Sequence, residues 1–274
     1  MGLQTSTILI AAVAGLCGLT TAINDDSAPP MRRQASCPSV WSDAAVDLKS
    51  SFTETNGTCT DDARAAIRLS FHDCFPGACD GSIILANECT DRGENSQLVD
   101  ICSIIGSKAS QYNVSTADMI QFATGKSTSY MKRLTAHANK RYQSAIAIAS
   151  CPGGPTISFK AGRADSTTAN PTGQMPGPSD NATVLIAAFE AKGFTATELV
   201  ALVGAHSAAK NLAGTGLDST PGDWDTEFYT ETADGTAPTT LDSDKFLSNS
   251  SETSSVWSSF AESSSSWQDA FVPA

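Results

Sequence analysis

Apolar residues recur along this chain with helical spacing, and no stretch sustains the two-residue alternation of a half-buried strand. The clearest run is Leu199, Leu202, Val203 and His206, at i, i+3, i+4 and i+7, which places the histidine on a buried stripe. Thr195-Ala-Thr-Glu198 opens that helix as a capping box. A second run, Ala63 to His72, follows Thr60 as a cap, with Asp61 and Asp62 favourable at the positive end of the helix. Breaks fall at Pro76-Gly77, Cys151-Pro-Gly-Gly-Pro155 and Pro171 to Pro178. The pattern predicts a mainly α fold without internal repeats. About 248–274 reads as a Ser-rich surface tail, although its Trp257, Phe260 and Trp267 could dock on the body.

Composition narrows the class. The 274 residues allow one large domain or two small ones, and 17 Lys+Arg against 29 Asp+Glu give a net charge of −12. A chain so acidic has no basic footprint, which argues against nucleic acid and anionic membranes as partners. Residues 1–22 are uncharged, with an apolar run from Ile8 to Leu19 that is short for a membrane span; they read as a signal peptide. Residues 23–33, ending in Arg32-Arg33, read as a possible propeptide. A secreted, extracellular protein is therefore expected. Four sequons (Asn56, Asn113, Asn181, Asn249) suit such a glycoprotein, though sequons this short also occur by chance. Seven cysteines remain after the signal, an odd number that leaves at least one thiol unpaired or the pattern incomplete.

Candidate chemistry lies on the two helices. Arg68 and His72 stand four apart on one face, a cation beside a weak base, suited to moving a proton within a small polar molecule while holding developing negative charge. Taken alone, the pair is equally an ordinary solvated face. His206, if buried and neutral, needs a partner for each ring nitrogen, either a metal or a hydrogen-bonding group.

Arg68-Leu-Ser-Phe-His-Asp-Cys-Phe75 with Asp80-Gly-Ser82, followed by Leu199 to Ser207, resembles the secreted haem peroxidases of the plant–fungal–bacterial superfamily, and most of all the fungal class II enzymes. Val114 to Phe122, Cys151 to Pro155 and Ala161-Gly-Arg-Ala-Asp165 match further landmarks, so the likeness runs from Cys37 to Phe260. It implies a haem peroxidase domain over 34–274, with distal and proximal helical halves around one haem b. His72 would be the distal base, Arg68 would stabilise charge as the oxygen–oxygen bond breaks, and Asn95 would orient His72. Phe71 would stack along the haem. His206 would be the axial iron ligand, with Asp244 on its far nitrogen.

The resemblance also implies two Ca²⁺ ions, one held by Asp73, Ala78, Asp80 and Ser82, the other by Ser207, Asp218, Thr220 and Asp225, hard oxygen donors just beyond each histidine. It implies the disulfides Cys59–Cys151 and Cys74–Cys79. Cys37, Cys89 and Cys102 remain three candidates for one bond.

Departures from the family bear on the electron donor. Of the three carboxylates of a manganese site, only Asp61 is present, with Ala65 and Leu212 at the other two positions. Ala201 stands where the lignin type has an exposed Trp, and Leu217 where an aromatic residue is usual under the haem. The expected partners are therefore hydrogen peroxide and small phenols or aromatic amines oxidised at the haem edge near Pro176, by a monomer. Trp224 and Tyr229 read as core first and as an electron relay second. An atypical insertion at about 124–143 carries five of the 17 basic residues and His137, a surface residue on this reading. It is a genuine loop or a translated intron. The chain ends at Ala274, short of the family's usual extension. The competing readings are a manganese- or lignin-type oxidant with an unrecognised donor site, and a haem-free secreted protein of the same fold.

Overall fold

The computed structural model describes residues 40–124 and 146–274, and nearly all the regular structure in them is helical. Among the described residues β-structure is limited to two isolated bridges, Thr53 with Cys59 and Lys210 with Gly216. The signal peptide, propeptide, Cys37, His137 and nearly all of the 124–143 insertion lie outside the described residues.

The first half of the chain forms α1 (Val40–Phe52), α2 (Asp61–Cys74), the short α3 (Ser82–Leu85) and α4 (Glu88–Asp91), α5 (Val99–Tyr112), α6 (Thr116–Thr124) and α7 (Ala147–Ser150). α2 begins as its sequence predicts, with the Thr60 hydroxyl accepting the Ala63 N–H at 3.2 Å. It packs against α1, α5, α6 and α7, burying Ala63, Ala66 and Leu69 among Leu48, Phe52, Ile105 and Phe122. Asp165 and Asp118 fasten α6. Asp165 accepts the Thr116 and Ala117 N–H groups at the N-terminus of α6, and Asp118 accepts those of Gly162 and Arg163.

The second half comprises α8 (Ala182–Glu190), α9 (Ala196–Val203), α10 (Glu227–Asp234), α11 (Asp242–Asn249), α12 (Ser254–Glu262) and α13 (Ser264–Phe271). The Thr195–Glu198 capping box opens α9 as predicted. Two differences from the sequence pattern stand out. The α-helix ends at Val203, and His206 lies in a 3-10 turn over Gly204–Ala208 with one third of its side chain exposed; of the predicted stripe only Leu199 is fully buried, Leu202 and Val203 being half-buried as His206 is. A Cβ on Gly204 would meet Tyr229 Oη at 2.2 Å and Trp267 Nε1 at 2.5 Å, so the missing side chain admits these aromatic groups beside the turn. The Ser-rich segment is also no tail. It forms α12 and α13, which bury Trp257, Phe260, Trp267 and Phe271 against α9 and α10 while their serines face solvent.

Backbone bonds join the halves: Cys59 N–H donates to Gly222 O and Trp224 N–H to Pro152 O. The disulfides Cys59–Cys151 and Cys74–Cys79 form as the resemblance implies, and Cys89 pairs with Cys102, which decides the open choice. No helix among the described residues is long and apolar enough to cross a membrane.

Candidate functional site

Helical spacing brings Arg68 and His72 together on α2, where Arg68 Nε donates to His72 Nε2 at 3.1 Å. The other ring nitrogen, Nδ1, lies 2.7 Å from Asn95 Oδ1, and Asn95 Nδ2 donates to the Glu88 carbonyl at 3.0 Å. With its amide nitrogen so engaged, Asn95 presents an acceptor to His72. This fixes the hydrogen on Nδ1 and leaves the lone pair on Nε2. His72 is buried, and burial first, then the Arg68 charge, push its pKa down to about 4. The imidazole therefore stands neutral as a base. Arg68 is held further by Gln97 Oε1 and, at 3.2 Å, by the Glu94 carbonyl.

His206 has the opposite electrostatics. Its Nδ1 lies 3.0 Å from the buried Asp244 Oδ2, from the first turn of α11. Burial opposes the imidazolium, but the Asp244 carboxylate more than offsets it and raises the pKa above its ordinary value. Arg68 acts electrostatically on both imidazoles, lowering the pKa of each. His206 Nε2 has no hydrogen-bond partner among the described residues. Phe71, one residue before His72, packs on Phe75 and Phe189 with ring centroids at 4.9 and 6.1 Å.

Oxygen-rich clusters flank both histidines. Beside His72, Asp73 is fully buried and accepts the Gly81 and Ile83 N–H groups, and Asp80 accepts the Ser82 N–H at 3.1 Å. Burial, with Asp80 and Glu88 nearby, pushes the Asp73 carboxyl up to about 7. Ala78 lies exposed in the loop closed by Cys74–Cys79. Beyond His206, Thr220 Oγ1 donates to Asp225 Oδ2 at 2.9 Å, and Ser207 Oγ accepts the Asp225 N–H at 3.2 Å. Asp218 accepts the Thr220 N–H through Oδ1, while its Oδ2 is buried with no hydrogen-bond partner. Burial and the Asp225 charge push Asp218 up to about 7. Each cluster holds two carboxylates with hydroxyls, and no set of three or more His, Cys, Asp or Glu converges among the described residues.

Sequence reasoning missed Asn170 and its neighbours. Asn170 Nδ2 donates to the Asp73 carbonyl at 3.1 Å and to Ser82 Oγ at 3.0 Å, and its N–H donates to Glu88 Oε1 at 2.8 Å. Arg92 bonds the Asn170 carbonyl and pairs with Glu88 at 2.7 Å. No local signal marks this hub, since Asn170 lies 97 residues from Asp73.

The family description "Peroxidase" matches residues 44–263. Among curated proteins, a peroxidase of Arthromyces ramosus is 30% identical over 70% of this chain and 53% of its own length. Manganese peroxidase 3 of Phlebia radiata is 30% identical over 80% of the chain and 66% of its own. Ligninase LG6 of Phanerodontia chrysosporium is 29% identical over 82% and 65%. The chain thus spans about half to two thirds of the length of these relatives.

Proposed function

The chain belongs to the peroxidase family, and on that premise we propose that it is a secreted haem enzyme that reduces hydrogen peroxide and oxidises small phenols and aromatic amines one electron at a time. The observation that carries this reading is the pair of imidazoles with unlike supports. His72 has its Nδ1 on an amide and a neutral, basic Nε2, while His206 has its Nδ1 on a carboxylate and an unengaged Nε2. A packing histidine satisfies both nitrogens. His206 Nε2 is a free, electron-rich donor on a ring one third exposed, which is the chemistry an iron ligand requires, so these residues fit a haem.

His206 would hold the iron, and Phe71 would lie along the macrocycle. The haem, when bound, supplies the iron that takes up the peroxide and the two electrons that cleave it. His72 Nε2 takes the proton from one peroxide oxygen and returns it to the other, which leaves as water. Arg68 gives up its bond to His72 as peroxide enters and directs its N–H groups at the oxygen where negative charge grows. Asn95 keeps His72 in the productive tautomer and orientation. Asp244 sustains electron donation through His206.

Two Ca²⁺ ions suit the flanking clusters. Asp218 Oδ2, buried and unpartnered, is the kind of oxygen a hard cation satisfies, and Asp73, Asp80, Ser82, Asp225, Ser207 and Thr220 add hard donors. The small-aromatic donor is favoured by Asp61, which is bound by Arg64 and, at 2.8 Å, by Lys210, so two cations already neutralise it. Three disulfides in the described residues favour export.

An absorption spectrum of the haem- and calcium-loaded chain, before and after one equivalent of peroxide, tests the proposal. A Soret band that drops and shifts within milliseconds and returns when a phenol is added is expected; no Soret band after refolding with haem refutes the reading. In His72→Ala the band is retained while the peroxide step slows by about 10²–10⁴-fold. An unchanged rate refutes the role of His72.

A further inference from the structure

Arg68 is held by three acceptors, and none of them carries a formal charge. Its Nε donates to His72 Nε2 at 3.1 Å, Nη1 donates to Gln97 Oε1, and Nη2 donates to the Glu94 carbonyl at 3.2 Å. Arginine only donates, so the Gln97 amide must turn its oxygen toward the guanidinium. No carboxylate pairs with Arg68 among the described residues. A carboxylate here would make charge-assisted bonds, roughly twice as strong as those to neutral oxygens.

The 3-10 turn Gly93–Leu98 supplies acceptors to both working side chains of α2. Asn95 Oδ1 faces His72, while the Glu94 carbonyl and Gln97 Oε1 face Arg68. The two amides differ in setting. Asn95 is 2% exposed and its nitrogen is fixed on the Glu88 carbonyl. Gln97 is exposed, and among the described residues its side chain bonds Arg68 alone. Water can replace that bond with little loss, so Gln97 is an acceptor that can let go. In this pose Arg68 Nε occupies the lone pair of His72 Nε2, the atom that the peroxide proton must reach.

We propose that Gln97 is a positioning residue that tethers Arg68 in this resting pose, across the base, and sets how readily the guanidinium swings to incoming peroxide. The proposal rests on the peroxidase reading. An N–H held by Gln97 is withheld from the oxygen where negative charge grows, so the strength of the tether subtracts from the stabilisation that Arg68 gives. A neutral, solvent-facing amide keeps that loss small and still gives the guanidinium a partner before peroxide arrives. A carboxylate at position 97 would lock the pose, and a residue without an acceptor would release it.

Fluoride bound at the ferric iron draws on the same N–H groups as peroxide, so it reads the tether without turnover. The test is fluoride titration of the haem- and calcium-loaded chain, followed by the Soret shift, with stopped-flow rates of the peroxide step at the same pH. Gln97→Ala should tighten fluoride binding and speed the peroxide step by about 2–10-fold, the factor that one neutral hydrogen bond corresponds to. Gln97→Glu should weaken and slow them by about the same factor. Ser96→Glu puts the same charge on the neighbouring exposed residue and should leave both within about twofold, because solvent screens it. A purely structural role would shift the two Gln97 variants in the same direction. Shifts of one sign in both, unchanged constants in both, or an effect of Ser96→Glu equal to that of Gln97→Glu overturn the proposal and spare the peroxidase reading. No Soret band in the parent chain overturns both.

Discussion

Removing the Arg92 charge should destabilise the fold far more than a surface ion pair would. Glu88 and Arg92 side chains are 1% and 10% exposed, and their 2.7 Å contact lies between the turns that carry Asn95 and Asn170. In Arg92→Leu the buried Glu88 carboxylate keeps the Asn170 N–H but loses its cation, and breaking such a pair from one side costs about 3–5 kcal/mol. Against a typical stability of about 5–15 kcal/mol this is a large fraction. With a urea slope near 2–3 kcal/mol/M it lowers the unfolding midpoint by roughly 1–2 M. Replacing both partners, Glu88→Leu with Arg92→Leu, removes the stranded charge but also the partners of the Asn170 N–H and carbonyl, so the double variant should recover only part of the loss. The assay is urea unfolding of all four forms with disulfides intact. A single-variant cost below about 1 kcal/mol, in the range of exposed pairs, or a double variant as unstable as the single one, refutes the reasoning.

Asn95→Ala should keep haem while slowing the peroxide step by about 10–100-fold, the usual scale for an outer-shell partner; stopped-flow absorbance reads it, and an unchanged rate rejects the orienting role. Asp47 accepts from Lys108 Nζ at 2.6 Å and Tyr112 Oη at 2.8 Å, and the Lys108 bond is the main cause holding its carboxyl below the usual range. A depressed folded pKa contributes stability above the unfolded value of about 3.9 and loses it as pH falls through the folded one. Asp47→Asn should therefore cost about 0.5–1 kcal/mol at neutral pH, with the gap closing in acid; a gap constant in urea unfolding from neutral to acid pH refutes this. Stripping divalent cations with a chelator should lower stability by about 3–4 kcal/mol for a site held at 100–1,000 times its Kd. Calcium should restore it, and an unmoved midpoint speaks against the oxygen clusters as cation sites.

The two working helices were legible because their signals are local: caps at Thr60 and Thr195, and Arg68 and His72 one turn apart. Motif resemblance then brought in Asn95 and Asp244, and the bonds to His72 and His206 match it. Composition misled at the C-terminus. Serine-rich content suggested a tail, yet Trp257 and Phe260, then Trp267 and Phe271, recur at i, i+3 and i, i+4, the period of a buried helical face. The 3-10 turn that carries His206 was not legible either: the α-helix yields at Gly204, where side chains from α10 and α13 press close. The Asn170 hub and the Cys89–Cys102 pairing depend on long-range or chain-reversing contacts that periodicity does not encode.

The two imidazoles show how one residue type is given opposite electrostatics by its neighbours. An amide oxygen accepts the His72 Nδ1 hydrogen without adding net charge, so burial and Arg68 keep that ring neutral. A carboxylate accepts from His206 Nδ1 and brings a full negative charge, which overrides burial and the same Arg68. The difference resides in Asn95, 23 residues from its histidine, and Asp244, 38 residues from its own. At His72 the remaining nitrogen is held only by Arg68, a donor one turn away that a small polar molecule can displace; at His206 it is unengaged. A fold maintained for shape alone has no use for one ring on a neutral amide and another on a carboxylate, with Nε2 held by a displaceable donor in the first and unengaged in the second, and this asymmetry weighs against the haem-free reading.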